Sequence, residues 1–180
     1  MRYFYDTEFL EDGKTIDLIS IGIVAEDGRT LYKVSNQFNT RAVAKHDWLM
    51  ENVMSSISHY THMTVDFNGA PIFRDIELTD VFADSRAHIA QDIVNFIGND
   101  PDVELWAWYG AYDHVALAQL FGIMLDLPDN IPMYTNDIRT LRKLAGNVKM
   151  PQQPSGNHNA LEDAKFNVVR YDYLMEVLRG

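Results

Sequence analysis

The sequence predicts an α/β fold built on a mixed β-sheet. Three observations carry this: three β-branched and aromatic segments before Asn39, helical spacing alternating with a further strand after Asp84, and 180 residues of which 47% are hydrophobic. A chain of that size and composition buries a core without disulfides. A run of strands followed by alternating helix and strand is the order of an α/β sheet with antiparallel and parallel parts.

Tyr3 to Phe9 is short and aromatic-rich, and Ile16 to Ala25 is β-branched with few polar breaks, so both read as strands, the second buried on both faces. Glu26-Asp27-Gly28 is a turn, and Arg29 to Phe38 completes a three-strand meander. A short helix is expected near Ala42 to Met50, while the rest of 39–79, with Asn68-Gly69 and Pro71, has no readable period. Ile89, Ala90, Ile93, Val94 and Ile97 follow helical spacing, with Asp84 or Ser85 as N-cap and Gly98 as stop.

Val103 to Tyr109 reads as a strand left at Gly110, and Val115 to Phe121 as a helix ended by Gly122. Asp137 to Ala145 reads as a helix ended by Gly146, with Ile138, Leu141, Leu144 and Ala145 on one side. Asn147 to Asn157 is a loop by composition. The last helix, about Asn159 to Leu178, is expected to bury Ala160, Ala164, Val168, Tyr171, Met175 and Leu178. With no repeat and no linker, one domain over 1–180 is the economical reading.

Composition narrows the function. Lys plus Arg total 15 against 26 Asp plus Glu, a formal charge of -11, which disfavours a nonspecific nucleic-acid coat. The absence of cysteine excludes a disulfide framework, a thiolate nucleophile and Cys-based zinc sites, leaving carboxylates and six histidines as ligands. No export signal follows Met1 and no apolar run reaches membrane-spanning length, so a soluble, cytoplasmic protein is expected.

Candidate chemistry lies at element ends. Asp6 and Glu8 are two apart on the first strand, so both carboxylates project from one face and could share a cation. The same spacing occurs at Asp75/Glu77, Asp100/Asp102 and Asp102/Glu104, but only Asp6 and Glu8 lie among Tyr3, Phe4, Tyr5 and Phe9, where desolvation is costly without a compensating charge. Asp113 follows a strand at a helix start, a position that also suits a carboxylate that only complements the helix dipole. His158 and Asp163, if both helical, would stand about 140° apart. The glycine-bearing loop before Asn159 removes the conflict by letting His158 hang ahead of a helix that fixes Asp163. Glu162 points elsewhere. Four carboxylates and one loop histidine supply ligands for two divalent ions and a general base, with oxygen donors selecting Mg or Mn. His59 and His62 would share a metal only on a helix, and with no acidic or cysteine partner at a recognisable spacing they read as surface or interface residues.

Asp6-Thr-Glu8, Asp113 in Tyr109-Gly110-Ala111-Tyr112-Asp113, and His158 five before Asp163 resemble the three motifs of the DEDD exonuclease superfamily in its histidine-bearing subclass, with RNase T, oligoribonuclease and proofreading domains. The opening RYFYDTEF and the run from Trp106 to Asp113 are most similar to the small polyadenylate-specific 3′-to-5′ exoribonuclease subgroup, although the proofreading-type Asn of the second motif is absent. The resemblance implies an RNase H-like fold with a mixed five-stranded sheet flanked by helices. It also implies two Mg or Mn ions, digestion of single-stranded RNA from its 3′ end with adenylate tails as a substrate, and a homodimer.

On this reading Asp6, Glu8, Asp113 and Asp163 hold the metals, and His158 takes the proton of the attacking water, the usual work of an imidazole near neutral pH. Phe9 and Tyr112 would stack on bases, with Trp106 and Trp108 nearby, although aromatics beside a buried strand equally build core. Arg139 and Arg142, with Lys143, would contact phosphates or simply face solvent. Three rivals remain: a DNA exonuclease of the same fold, a catalytically silent nucleic-acid-binding module, and a phosphatase, which would want a second Asp where Glu8 stands.

Overall fold

The protein was analysed as a computed structural model that describes residues 1–180 apart from the side chain of Phe73. Strands β1 (Arg2–Glu11), β2 (Ile16–Ala25) and β3 (Thr30–Ser35) form the antiparallel meander. Next come helices α1 (Thr40–Ala44) and α2 (Asp47–Asn52), a 3-10 turn at Met54–Ser56, and a hairpin of β4 (His59–Val65) and β5 (Pro71–Leu78). The chain continues through β6 (Ala83–Asp84), α3 (Arg86–Ile97), β7 (Glu104–Ala107), α4 (Gly110–Ala118), a 3-10 turn at Met124–Asp126, β8 (Asn136–Asp137), α5 (Ile138–Leu144) and α6 (Ala160–Arg179).

The main sheet has six strands in the order β6-β3-β2-β1-β7-β8. It is a mixed sheet flanked by helices, with β7 and β8 running parallel to β1 and β6 parallel to β3. The resemblance implies five strands and the sequence pattern exposes four of the six, because β6 and β8 have two residues each, too few to leave a period in the sequence. The hairpin is a separate two-stranded sheet. Its turn is held by Asp66, whose Oδ1 accepts from the backbone N–H of Asn68 and Ala70 at 2.8 and 2.9 Å.

Strand parity sorts the core. Odd residues of β1, Tyr3 and Tyr5, pack with Ile89 and Ile93 of α3 and Leu117 of α4. Even Phe4 packs with Ile138 of α5 and Tyr171 and Leu174 of α6. Asp6 and Glu8 therefore share the face that α6 covers. A further cluster joins Ile19 and Val34 to Val43, Leu49 and Met54, seating α1 and α2 against the meander.

Several element ends differ from expectation. β7 stops at Ala107 and α4 begins at Gly110, because Tyr109 adopts a left-handed conformation (φ 66) that turns the chain straight into the helix. Leu144 and Leu178 are exposed rather than buried. His59 and His62 lie on a strand, not a helix, and three residues apart they point to opposite faces. The His62 Nε2 sits 3.0 Å from Glu77 and the His59 Nδ1 2.7 Å from the Ile57 carbonyl, so they share no metal. Ser85 and Gly98 cap α3 as the sequence indicates.

Gly22 fixes how closely α6 approaches. It pairs with Asp6 across β1 and β2, and a Cβ there would lie 2.4 Å from the backbone of Ala160 and Leu161 at the start of α6. Backbone cannot yield as a side-chain tip does. Gly22→Ala should destabilise the protein by about 3 kcal/mol, read as a lowered denaturant midpoint. A midpoint equal to that of the unmodified protein would refute this packing.

Candidate active site

Asp6 and Glu8 lie on the central strand β1, and a bulge between Glu8 and Phe9 shifts the register with β2 just past them. Bulges re-aim side chains at sheet rims. Asp163 lies in the first turn of α6, whose N-cap Asn159 accepts from the N–H of Leu161 and Glu162. His158 is left-handed (φ 63) and follows left-handed Gly156, so the chain reverses just ahead of the cap. Its backbone N–H donates to Asp163 Oδ2 at 2.8 Å. The His158 ring nitrogen and the carboxylate oxygens of Glu8 and Asp163 can all lie within 4.8 Å of one another. Glu162, in contrast, is exposed and ion-paired with Lys165.

Asp113 comes from the other side of the sheet. Its Oδ1 accepts from the backbone N–H of Thr7 at 2.9 Å and from the Thr7 hydroxyl at 2.7 Å. Thr7 is the odd residue between the two acids, so it faces α4 and ties Asp113 to the same stretch of β1.

All five residues line a cleft of about 660 Å³, together with Phe9 and Tyr112. These two rings are nearly parallel, 9° apart with centroids 6.0 Å from each other. Trp108 and Tyr109 also line the cleft, whereas Trp106 packs on Tyr171 and donates its Nε1–H to Glu104. Neither expected arginine lines it. Arg139 lies over the Trp108 and Tyr109 rings, 5.2 and 4.9 Å from their centroids, and Arg142 donates to the carbonyls of Val148 and Asn147. Arg142 is thereby spent on the loop after α5.

Three cleft residues carried no sequence signal that was used. Trp48 of α2 meets the His158 ring edge-on at 4.8 Å, and it lies in the helix expected near Ala42 to Met50, whose short pattern does not say which side chain faces a cleft. Thr7 was overlooked between its acidic neighbours. Arg170 lies seven residues after Asp163, two helical turns on and on the same face, a spacing that could have exposed it.

The electrostatics are those of crowded, dehydrated carboxylates. Burial, then the charges of Asp163 and Asp113, push Glu8 up to about 8. Burial pushes Asp113 up to about 7 against the pull of the Thr7 hydrogen bonds. Asp6 is raised well above the usual range, first by burial and then by Asp113, Glu8 and Asp163, with Arg170 opposing. Oxygen donors that repel one another in a partly dehydrated cleft fit hard divalent cations, which would relieve the repulsion. Asp6, Glu8, Asp113 and Asp163 could hold them, with His158 alongside.

A pH dependence follows. Glu8 and Asp113 are buried, 8% and 5% exposed, and ionise near 4 in an unfolded chain. Their folded values are raised, so the associated stability is complete below about pH 4 and is lost as pH rises through 7 to 8. Glu26, held down near 2 by Arg2, acts at more acidic pH and does not offset this loss. Without metal, the melting temperature should fall by several degrees between about pH 5 and pH 8, and Mn²⁺ should restore more at pH 8 than at pH 5. A flat metal-free profile would contradict the crowding described.

Comparison with known proteins places the chain in a family. Residues 1–175 match the family described as the 3′-5′ exoribonuclease Rv2179c-like domain. Two relatives are both 41% identical over 173 residues, covering 95% of this chain and 91% of theirs: the 3′-5′ exoribonuclease Rv2179c of Mycobacterium tuberculosis strain H37Rv and the 3′-5′ exoribonuclease MT2234.1 of strain CDC 1551. Among the described residues no helix is long and apolar enough to cross a membrane. A chain that matches over nearly its whole length, with four acids and a histidine lining one cleft, belongs to the Rv2179c-like 3′-5′ exoribonuclease domain family.

Proposed function

We propose that this chain is a metal-dependent 3′-to-5′ exoribonuclease of the histidine-bearing DEDD type, a single catalytic domain that removes nucleoside 5′-monophosphates from the 3′ end of single-stranded RNA. The observation that carries the reading is the convergence of Glu8, His158 and Asp163 within 4.8 Å in a cleft also lined by Asp6 and Asp113. The family membership supports the polymer and the direction of digestion.

When bound, two Mg²⁺ or Mn²⁺ ions supply a water of lowered pKa and positive charge beside the departing 3′ oxygen. Asp6, Glu8 and Asp163 would hold one ion, and Asp6 with Asp113 would position the second. His158 accepts a proton from the attacking water. The new bond joins that water's oxygen to phosphorus, and the bond from phosphorus to the 3′ oxygen of the preceding nucleotide breaks. Thr7 keeps Asp113 in place through both of its hydrogen bonds. Phe9 and Tyr112 offer flat faces to the last bases, a contact that tolerates any base and suits adenine well.

The chain stays acidic with both ions bound, so it grips only the last few nucleotides and shows a shallow salt slope. A homodimer acting on tailed RNA is what the resemblance to the polyadenylate-specific subgroup adds to this reading. Matched RNA and DNA oligonucleotides test the polymer. RNA should be shortened the faster, and equal or faster loss of DNA would move the assignment to a DNA exonuclease.

A further inference from the structure

We propose that Arg170 is the residue that binds the scissile phosphate, through non-bridging oxygens. The proposal rests on the exonuclease reading above and goes beyond it, because it assigns a substrate contact to a side chain outside the acidic and histidine set.

Arg170 lines the cleft beside Asp163 and is half-buried. Its guanidinium is held on two aromatic faces, 4.7 Å from the ring centroids of Trp108 and of Phe166. One nitrogen, Nη1, donates to Asn167 Oδ1 at 2.7 Å. Asn167 is fully buried and donates its Nδ2–H to the Tyr5 carbonyl at 3.0 Å, so the arginine is anchored to the central strand one residue before Asp6. Stacking occupies the faces of the guanidinium and leaves the in-plane N–H edge to point at a ligand.

That edge has no anion. Among the described residues Arg170 makes no ion pair with a carboxylate, and its only hydrogen bond is the one to Asn167. Asp163 and Asp6 are near enough to favour its charge, yet burial outweighs them. A cation taken from water, pre-shaped by two rings and a buried amide, and left without a counter-ion is costly unless something else brings the negative charge.

Charge balance says what does. Four carboxylates offset two divalent ions, which leaves the +1 of Arg170 to meet the -1 of a phosphodiester. The extra negative charge that develops as the water attacks increases the attraction, so the contact strengthens toward the transition state. A planar fork also matches two phosphate oxygens better than a point charge would.

The product carries that phosphate, which gives a test without catalysis. Adenosine 5′-monophosphate and adenosine are titrated into the full chain in Ca²⁺ by calorimetry, for the unmodified protein, Arg170→Gln and Arg170→Lys, with thermal melts alongside. Arg170→Gln should weaken the monophosphate about 10- to 100-fold and leave adenosine within about twofold, with Arg170→Lys between. Undiminished monophosphate affinity in a cooperatively melting Arg170→Gln overturns the proposal. Should that variant not fold, Arg170→Lys decides it by the same criterion, since it keeps the charge and loses the fork. An unmodified protein that binds neither ligand overturns the exonuclease reading itself, and this proposal with it.

Discussion

Asp6→Asn is expected to lower hydrolysis of a 3′-end-labelled RNA by about a thousandfold or more, about 4 kcal/mol of transition-state stabilisation, while raising the melting temperature of the metal-free protein by a few degrees. The two effects have one cause. Asp6 has carboxylate neighbours on β1, α4 and α6, and burial with their charges raises its pKa well above the usual range. Removing its charge relieves repulsion in the metal-free cleft, and on the proposed mechanism it would also remove the ligand shared by both ions. The amide keeps the shape, so packing should not suffer. Activity within tenfold of the unmodified protein would exclude Asp6 from the metal site, and a lowered metal-free melting temperature would mean its charge is already balanced.

His158→Ala should cost between about a hundredfold and ten-thousandfold in rate, the usual worth of a positioned general base. The contact that orients Asp163 comes from the backbone N–H of residue 158, which alanine keeps. Asp163 should therefore stay in place, and Mn²⁺ affinity should hold within about threefold. This separates a base from a ligand, a distinction that matters because the His158 ring lies in the same cluster as Glu8 and Asp163. A large loss of Mn²⁺ affinity would make His158 a ligand, and unchanged hydrolysis would remove it from the mechanism. The Trp48 ring that meets His158 edge-on limits where the imidazole can swing and couples the loop to α2.

The acids and the histidine were legible because each rests on a local rule. Strand parity puts Asp6 and Glu8 on one face, and a glycine-bearing loop ahead of an Asn cap releases His158 from the helix that holds Asp163. The sheet core was legible for the same reason, since β2 is buried along almost its whole length. What escaped depends on contacts distant in sequence. β6 and β8 exist only as partners of β3 and β7. The short helix expected near Ala42 to Met50 is two, α1 and α2, and six residues of α2 are too few for a period to place Trp48 on the cleft. Gly110 was read as the end of a strand, whereas left-handed Tyr109 makes it the first residue of a helix and lets it pack against Thr135. The arginines divide by partner: Arg142 is engaged by its own loop, and Arg170 is presented by the Phe166 ring one turn back on its own helix and by the Trp108 ring from a distant segment.

Acidity and nuclease function are compatible in this arrangement. Attraction at long range is weak for a chain of charge -11, so recognition must come from short-range contacts at the bottom of the cleft. On the proposed mechanism the aromatic pair, the metals and Arg170 would be such contacts.

Product analysis of a 3′-tailed RNA incubated with the protein and Mg²⁺ tests the assignment most directly. Stepwise loss of nucleoside 5′-monophosphates from the 3′ end, abolished by a chelator, is the result predicted. Internal cuts, release from the 5′ end, or digestion that continues with the metal removed would contradict it.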